Sequence, residues 1–284
     1  MNLRREVKRG SLMRLLIWIF GIARVCRALM SLGIPFLKTL LLVPLIFAKG
    51  SSVPLRIRNN LLHFYFRAKS TDLYVLAQTW PTYFPKTHLE VLDEIYNEIL
   101  SLGRTPLVLD GGAYTGITAL KFLQQFPQCK VIAIEAARVN YKYLTSNMKG
   151  LDQVECVLGA IGDPEAFYTI EESASGEWAF RTSTLQSSPT IGLIPGISLA
   201  RLLETFEKYT PFICKLDIEG AEASIPDPDW DAISQFPVIV VEPHDWMMPG
   251  SNCIQGLYRS MSASGQRRDS VLVGENIWFI MKNQ

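Results

Sequence analysis

A chain of 284 residues, 48% apolar and 19% charged, is long enough for one large α/β domain with an appendage and is too apolar to be disordered or low-complexity. Its five cysteines, Cys26, Cys129, Cys156, Cys214 and Cys253, contain no Cys-x-x-Cys pair, which argues against a zinc or thiol-redox motif and for reduced cytosolic thiols. The net charge of +1 hides an asymmetry: residues 1–50 hold nine Lys or Arg against the single Glu6, so residues 51–284 total about −7.

The basic end is also apolar. Leu15–Phe20 and Leu40–Phe47 are nearly unbroken apolar runs, and Met30–Ala48 carries only Lys38 as a charge. That window approaches the ~20 residues of a membrane span, but Pro35, Pro44 and the lysine count against one. Three readings stay open for residues 1–50: a cleaved signal, a helical cap, or an amphipathic anchor on an anionic membrane surface at the cytoplasmic face. Residues 51–104 read as a helical cap leading into a catalytic domain over 105–284. Within the cap, Thr71 or Asp72 starts a helix that Pro81 ends. Trp80, Tyr83 and Phe84 are either core or a lid, and Thr87 with Glu90 forms a capping box for a helix through Leu100.

Leu107-Val108-Leu109 is a short buried strand that stops at Asp110, followed by Gly111, Gly112 and Gly116 and a helix from Ile117 to Phe126. Strand, glycine turn and helix make a nucleotide-site layout. The Gly-Gly-x-x-x-Gly spacing differs from the Gly-x-Gly-x-x-Gly of dinucleotide folds, and a carboxylate at the strand tip repels a pyrophosphate. It suits a ligand with an ammonium and a sulfonium, as in S-adenosylmethionine. The next strand, Val131–Ile134, ends in Glu135, about 20 residues on, where an acid meets ribose hydroxyls.

A helix over Arg138–Met148 leads to the strand Val154–Leu158, whose exit contains Ala160, Ile161 and Asp163, the last placed to meet an adenine amine or simply to form a turn. Residues 164–190 read as exposed hairpins or an insertion, and Ser198 starts another helix. The strand Phe212–Leu216 ends in Asp217-Ile218-Glu219-Gly220-Ala221-Glu222, and the strand Pro237–Val241 ends in Glu242-Pro243-His244-Asp245. Ser270–Met281 reads as a terminal hairpin. Alternating strands and helices give a mostly parallel sheet with helices on both faces, and the strand exits converge on one rim.

These strings resemble the FkbM family of S-adenosylmethionine-dependent methyltransferases: Leu-Asp-Gly-Gly-Ala-Tyr-Thr-Gly from Leu109, Ile134-Glu135, Arg181-Thr182-Ser183-Thr184-Leu185 and, most specifically, Lys215-Leu216-Asp217-Ile218-Glu219-Gly220-Ala221-Glu222. The likeness covers about residues 70–283. Tyr114 departs from the family's frequent Asp-x-Gly-Ala-Asn-x-Gly. The resemblance implies a Rossmann-like, mostly parallel seven-stranded sheet with a C-terminal antiparallel strand, and O-methylation of an alcohol on a sugar, glycan or polyketide.

The cofactor residues expected are Asp110, Gly111, Gly112, Ala113, Tyr114, Gly116, Glu135, Ala136, Ala160, Ile161 and Asp217. The catalytic candidates are His244, Asp217 and Glu219, with His244 the base and Asp245 its orienting partner. The same donors also suit a divalent ion, but no metal is expected. The partners expected are a small-molecule or glycan hydroxyl acceptor and no nucleic acid. A nicotinamide oxidoreductase and a non-catalytic nucleotide- or glycan-binding module are the alternatives.

Overall fold

The computed structural model describes residues 21–57, 60–171, 181–185, 193–245 and 248–281. The apolar run Leu15–Phe20 lies outside them. The chain divides into two compact units, residues 1–82 and 83–284.

In the first unit, residues 21–31 (α1) and Phe36–Lys49 (α2) are helical, and α2 buries only Thr39, Val43 and Ile46. Phe36, Leu37, Leu40, Leu41, Leu45 and Phe47 are exposed, Leu41 to 78%. No helix among the described residues is long and apolar enough to cross a membrane. Residues 51–66, read above as part of a helical cap, instead form an antiparallel hairpin of β1 (Ser51–Ile57) and β2 (Asn60–Phe66). The reason is a period of two: Leu62, Phe64 and Phe66 are buried while His63 and Tyr65 face out. Helix α3 (Asp72–Thr82) follows. Buried Asp72 accepts hydrogen bonds from the Arg67 backbone N–H at 2.7 Å and from its guanidinium at 2.6 Å, which fixes the entry to that helix.

The second unit starts at Tyr83, earlier than the expected border at 105. Tyr83 and Phe84 stack edge-on against Phe122, and both lie against Trp278, so these two aromatics are core. Helix α4 (Leu89–Ser101) presents Leu92, Ile95, Tyr96 and Ile99 to the strands Thr105–Gly111 and Tyr209–Leu216 at helical spacing. The expected capping box is not made: a short 3₁₀ turn, Lys86–His88, precedes α4, and no side chain caps it.

The sheet runs in the order β12-β13-β11-β10-β3-β4-β5. Its strands are β3 (Thr105–Gly111), β4 (Lys130–Glu135), β5 (Val154–Leu158), β10 (Tyr209–Leu216), β11 (Val238–Val241), β12 (Arg268–Val273) and β13 (Asn276–Met281). The five from β5 to β11 are parallel, and β13 joins β11 antiparallel. Helices α5 (Ile117–Gln125), α6 (Arg138–Asn147), α7 (Leu199–Thr205), α8 (Asp227–Ser234) and α9 (Gln255–Ser264) fill the connections. The chain leaves β3 towards β5 and returns to β10 on its other side, so the strand order switches between β3 and β10 and opens a crevice at their carboxyl ends. The segment after β5 is a small second sheet, β6 (Ala160–Ile161), β9 (Ile194–Ile197), β7 (Phe167–Glu171) and β8 (Arg181–Leu185).

Candidate active site

The floor of the crevice is the glycine turn after β3. Gly112 has φ +73°, and a Cβ there would stand 1.7 Å from the Asp217 carbonyl oxygen, so the turn and the exit of β10 touch backbone to backbone. Only glycine permits that approach. Gly116, at φ +92°, begins α5 where a Cβ would run into Leu144 of α6 and Met148 just beyond it. Tyr114 itself adopts φ +53°, a left-handed backbone in which a non-glycine residue needs support. Glu135 supplies it by accepting the Tyr114 N–H at 2.8 Å on Oε2, while Oε1 accepts the Ala137 N–H at 2.9 Å. The Gly112 and Ala113 N–H groups donate to the Ile134 carbonyl at 3.0 and 2.9 Å.

Asp110 stands at the tip of β3, opposite Lys215 in the β3–β10 register, and is fully buried. Its charge faces Lys215, whose Nζ lies 3.2 Å from Asp110 Oδ1 and 3.3 Å from Asp217 Oδ2 and donates to the Gly112 carbonyl at 2.9 Å. A direct meeting of the Asp110 carboxylate with a cationic ligand is therefore corrected: Asp110 holds Lys215, and Lys215 holds the turn. Burial opposes the lysine's charge, but Asp110 and Asp217 outweigh it and raise its pKa. Burial likewise raises the Asp110 carboxyl, with Lys215 pulling the other way.

Asp217 keeps 28% of its side chain exposed at the crevice, whereas Glu135 is buried and turned to the donors of its own loop. Burial pushes the Glu135 carboxyl up to about 7, against the pull of the Ala137 and Tyr114 donors. Ala113, Ala160 and Ile161 are buried, and Ala136 packs partly buried beside Ala160. Ile161 Cδ1 lies only 2.6 Å from where a Cβ on Gly111 would stand, which brings the exit of β5 against the turn. Asp163 Oδ1 accepts the Glu165 N–H at 2.9 Å, the turn-forming use of that aspartate.

The second half of the site hangs from β10 and β11. Glu219 has φ +58° and Gly220 φ +92°, a left-handed pair that folds Glu222 back under the loop. Glu222 is fully buried and accepts the Ile218 N–H at 3.2 Å. His244, 1% exposed, places Nδ1 at 3.1 Å from Glu222 Oε1, with Nε2 3.6 Å from Glu219 Oε2 and 3.9 Å from Glu242 Oε1. The orienting partner of His244 is thus Glu222. Asp245, expected in that role, accepts the Cys253 N–H at 2.9 Å and anchors its own loop.

Burial pulls the His244 imidazole down, but the Glu222 hydrogen bond and the surrounding carboxylates hold it up at about 9. Without a bound ligand it is an imidazolium at neutrality, which does not suit a free base. Burial pushes Glu219 and Glu242 each to about 8. The Tyr83 hydroxyl lies within electrostatic range of Lys215, Asp110, Asp217 and Glu242. Sequence reading missed Lys215 and Glu222 as the organising partners. The lone lysine in the strand Phe212-Ile213-Cys214-Lys215-Leu216 was the available signal, since a charge inside an apolar strand requires an opposite one beside it.

The donor set fits an adenosylmethionine. Carboxylates at the ends of the two strands that flank β3, Glu135 after β4 and Asp217 after β10, lie on either side of a turn whose backbone is open to close approach. Fold and site together define a Rossmann-like methyltransferase with S-adenosylmethionine as its cofactor. The Methyltransferase FkbM domain model matches residues 110–256, and the chain belongs to that family. It is 22% identical over 192 residues to Methyltransferase sdnD of Sordaria araneosa, covering 54% of this chain and 73% of that one. Among solved structures it is similar to the SAM-dependent methyltransferase of Agrobacterium tumefaciens, with a TM-score of 0.41, 10% identity, and 82% of this chain and 70% of that chain covered. It is also similar to the O-methyltransferase of Bacillus cereus in complex with SAH, with a TM-score of 0.36, 14% identity, and 74% and 87% covered.

Proposed function

We propose that the chain methylates a hydroxyl group, of a sugar, glycan or glycolipid. The observation that carries this reading is the group of carboxylates, Asp217, Glu219 and Glu242, gathered about His244 beside the glycine turn. Carboxylates accept hydrogen bonds from hydroxyls and so suit a polyol acceptor. Bound adenosylmethionine supplies an electrophilic methyl on its sulfonium. The chain's part is alignment and proton removal. Gly111, Gly112, Ala113, Tyr114 and Gly116 form the turn that seats the cofactor, Glu135 accepts its ribose hydroxyls, and Ala136, Ala160 and Ile161 wall the base. Asp217, Glu219 and His244 hold the acceptor hydroxyl in line, and a carboxylate of this group receives its proton. Radiolabelled adenosylmethionine offered to lipid-linked glycans, free sugars and small alcohols tests this. An O-methyl product is expected, and a methyl found only on nitrogen or carbon would overturn it.

The exposed face of α2 favours a second element of the reading, peripheral contact with an anionic membrane at the cytoplasmic side. Leu37, Leu41 and Leu45 share a face at helical spacing, and Lys38 and Lys49 lie on the same helix. Apolar burial with basic flanks is how interfacial helices bind anionic lipid.

A further inference from the structure

We infer that His244, Asp217 and Glu242 form a binding site for a divalent cation at the exits of β10 and β11. One ligand atom from each lies within 4.8 Å of the other two. Small side-chain rotations bring such a triangle to the ~2.1–2.5 Å that oxygen and nitrogen ligands keep from a divalent ion.

The imidazole is built as a ligand. Glu222 Oε1 faces Nδ1 at 3.1 Å from a fully buried position, which leaves Nε2 as the atom turned towards the other carboxylates. Glu219 Oε2 at 3.6 Å and Glu242 Oε1 at 3.9 Å are both too far from it for hydrogen bonds. A carboxylate behind a histidine, fixing its ring and tautomer, is the usual support for a metal-bound imidazole.

Glu219 provides an independent observation. Its side chain is nine-tenths buried, its Oε2 is turned towards His244 Nε2, and that oxygen receives no hydrogen bond from the described residues. Buried polar atoms lacking partners call for an explanation, and a cation between the carboxylates supplies one. One imidazole nitrogen with two or three carboxylate oxygens suits an ion of intermediate hardness such as Mn²⁺. Asp217 is the most open of the ligands, so free coordination positions face the crevice.

The assignment rests on the hydroxyl-methylation reading only for its purpose. A cation here binds the acceptor oxygen and lowers its pKa. The oxygen then loses its proton to Glu219 as the O–CH₃ bond forms and the S–CH₃ bond breaks, a balanced step that needs no oxidant or reductant.

The experiment is Mn²⁺ binding to the full chain, without cofactor or acceptor, followed by calorimetry and electron paramagnetic resonance. One Mn²⁺ per chain with nitrogen coupling from an imidazole is expected. Asp217→Asn and Glu242→Gln should weaken it, as should Glu222→Gln by ~10- to 100-fold. Glu155→Gln, on the surface strand β5, should leave it unchanged. Wild-type chain that binds no stoichiometric Mn²⁺, or shows no nitrogen coupling, overturns the site even if the variants fold poorly. Hydroxyl methylation that persists undiminished in chelator would sink the cation and leave the methylation reading standing. Stoichiometric Mn²⁺ with no hydroxyl ever methylated would keep the site and sink that reading.

Discussion

Lys215 Nζ sits 3.2 Å from Asp110 Oδ1, each residue all but removed from solvent, on neighbouring parallel strands that end at the glycine turn. Two buried charges of opposite sign tolerate their desolvation only together. Lys215→Met leaves Asp110 unpaired and frees the Gly112 carbonyl, so a loss of ~3–5 kcal/mol of stability is expected from urea unfolding. Asp110→Asn should cost less, because Lys215 keeps Asp217. Equal and small losses in both variants would show that the pair does not hold the turn.

Gly112→Ala should disable cofactor binding at modest cost to the rest of the sheet. The new methyl meets the Asp217 carbonyl, and φ +73° disfavours any side chain, by ~1–3 kcal/mol for the backbone alone. The crevice must then widen between β3 and β10. Calorimetry with adenosylmethionine checks this, and an unchanged dissociation constant would mean that the turn does not seat the cofactor.

The sheet was legible because its strands are apolar runs cut off by charged or glycine residues, as in Leu107–Asp110 and Val131–Glu135, and because helices with clear period lie between them. Helices α8 and α9 have no counterpart in the sequence reading: α8 opens on Asp227-Pro228-Asp229, and Asp229 accepts the Ser198 hydroxyl at 2.7 Å, a partner 31 residues away. The same distance in sequence concealed the site's internal order. Asp245 adjoins His244 in the chain, but strand exits point successive side chains apart, and Glu222 comes to His244 from a different strand's exit. Charge partners across strands are not written in local spacing.

Affinity for adenosylmethionine should depend on pH through Glu135. Its carboxyl sits at about 7 in the free chain, and ribose hydroxyls donate best to the ionised form. Below that pH, binding must first expel a proton, so the dissociation constant rises as pH falls and levels off above about 8. Calorimetry in two buffers of different ionisation enthalpy should record proton release at pH 6 and almost none at pH 8.5. Glu135→Ala should remove the dependence and weaken binding by ~1.5–3 kcal/mol, part of it through the unsupported Tyr114 backbone. Affinity that stays flat from pH 6 to 8 in the wild type contradicts the ribose assignment.

For α2, the doubly substituted Leu37→Asp, Leu41→Asp chain should sediment less with anionic vesicles than the wild type, since both side chains are largely exposed and their loss leaves the buried Thr39, Val43 and Ile46 face intact. Raising the salt should weaken binding of the wild type, because attraction of basic residues to the surface is screened within a Debye length. Wild-type chain left wholly in the supernatant at low salt would end the membrane reading.

Glu222 separates positioning from contact at the catalytic cluster. It lies beneath His244, fully buried, and reaches the crevice only through the imidazole it holds. His244→Ala should lower turnover by ~10² or more, since a group engaged with the reacting oxygen acts in the transition state. Glu222→Gln keeps the shape and one acceptor but removes the charge behind the ring. It should lower kcat by a smaller factor while the dissociation constant for adenosylmethionine stays where it was. If the carboxylate works through the histidine, the double variant His244→Ala, Glu222→Gln loses little more than His244→Ala alone, a coupling that a double-mutant cycle measures directly. Additive losses would place Glu222 in an independent structural role, and the loop that carries Glu219 would then be the part it supports.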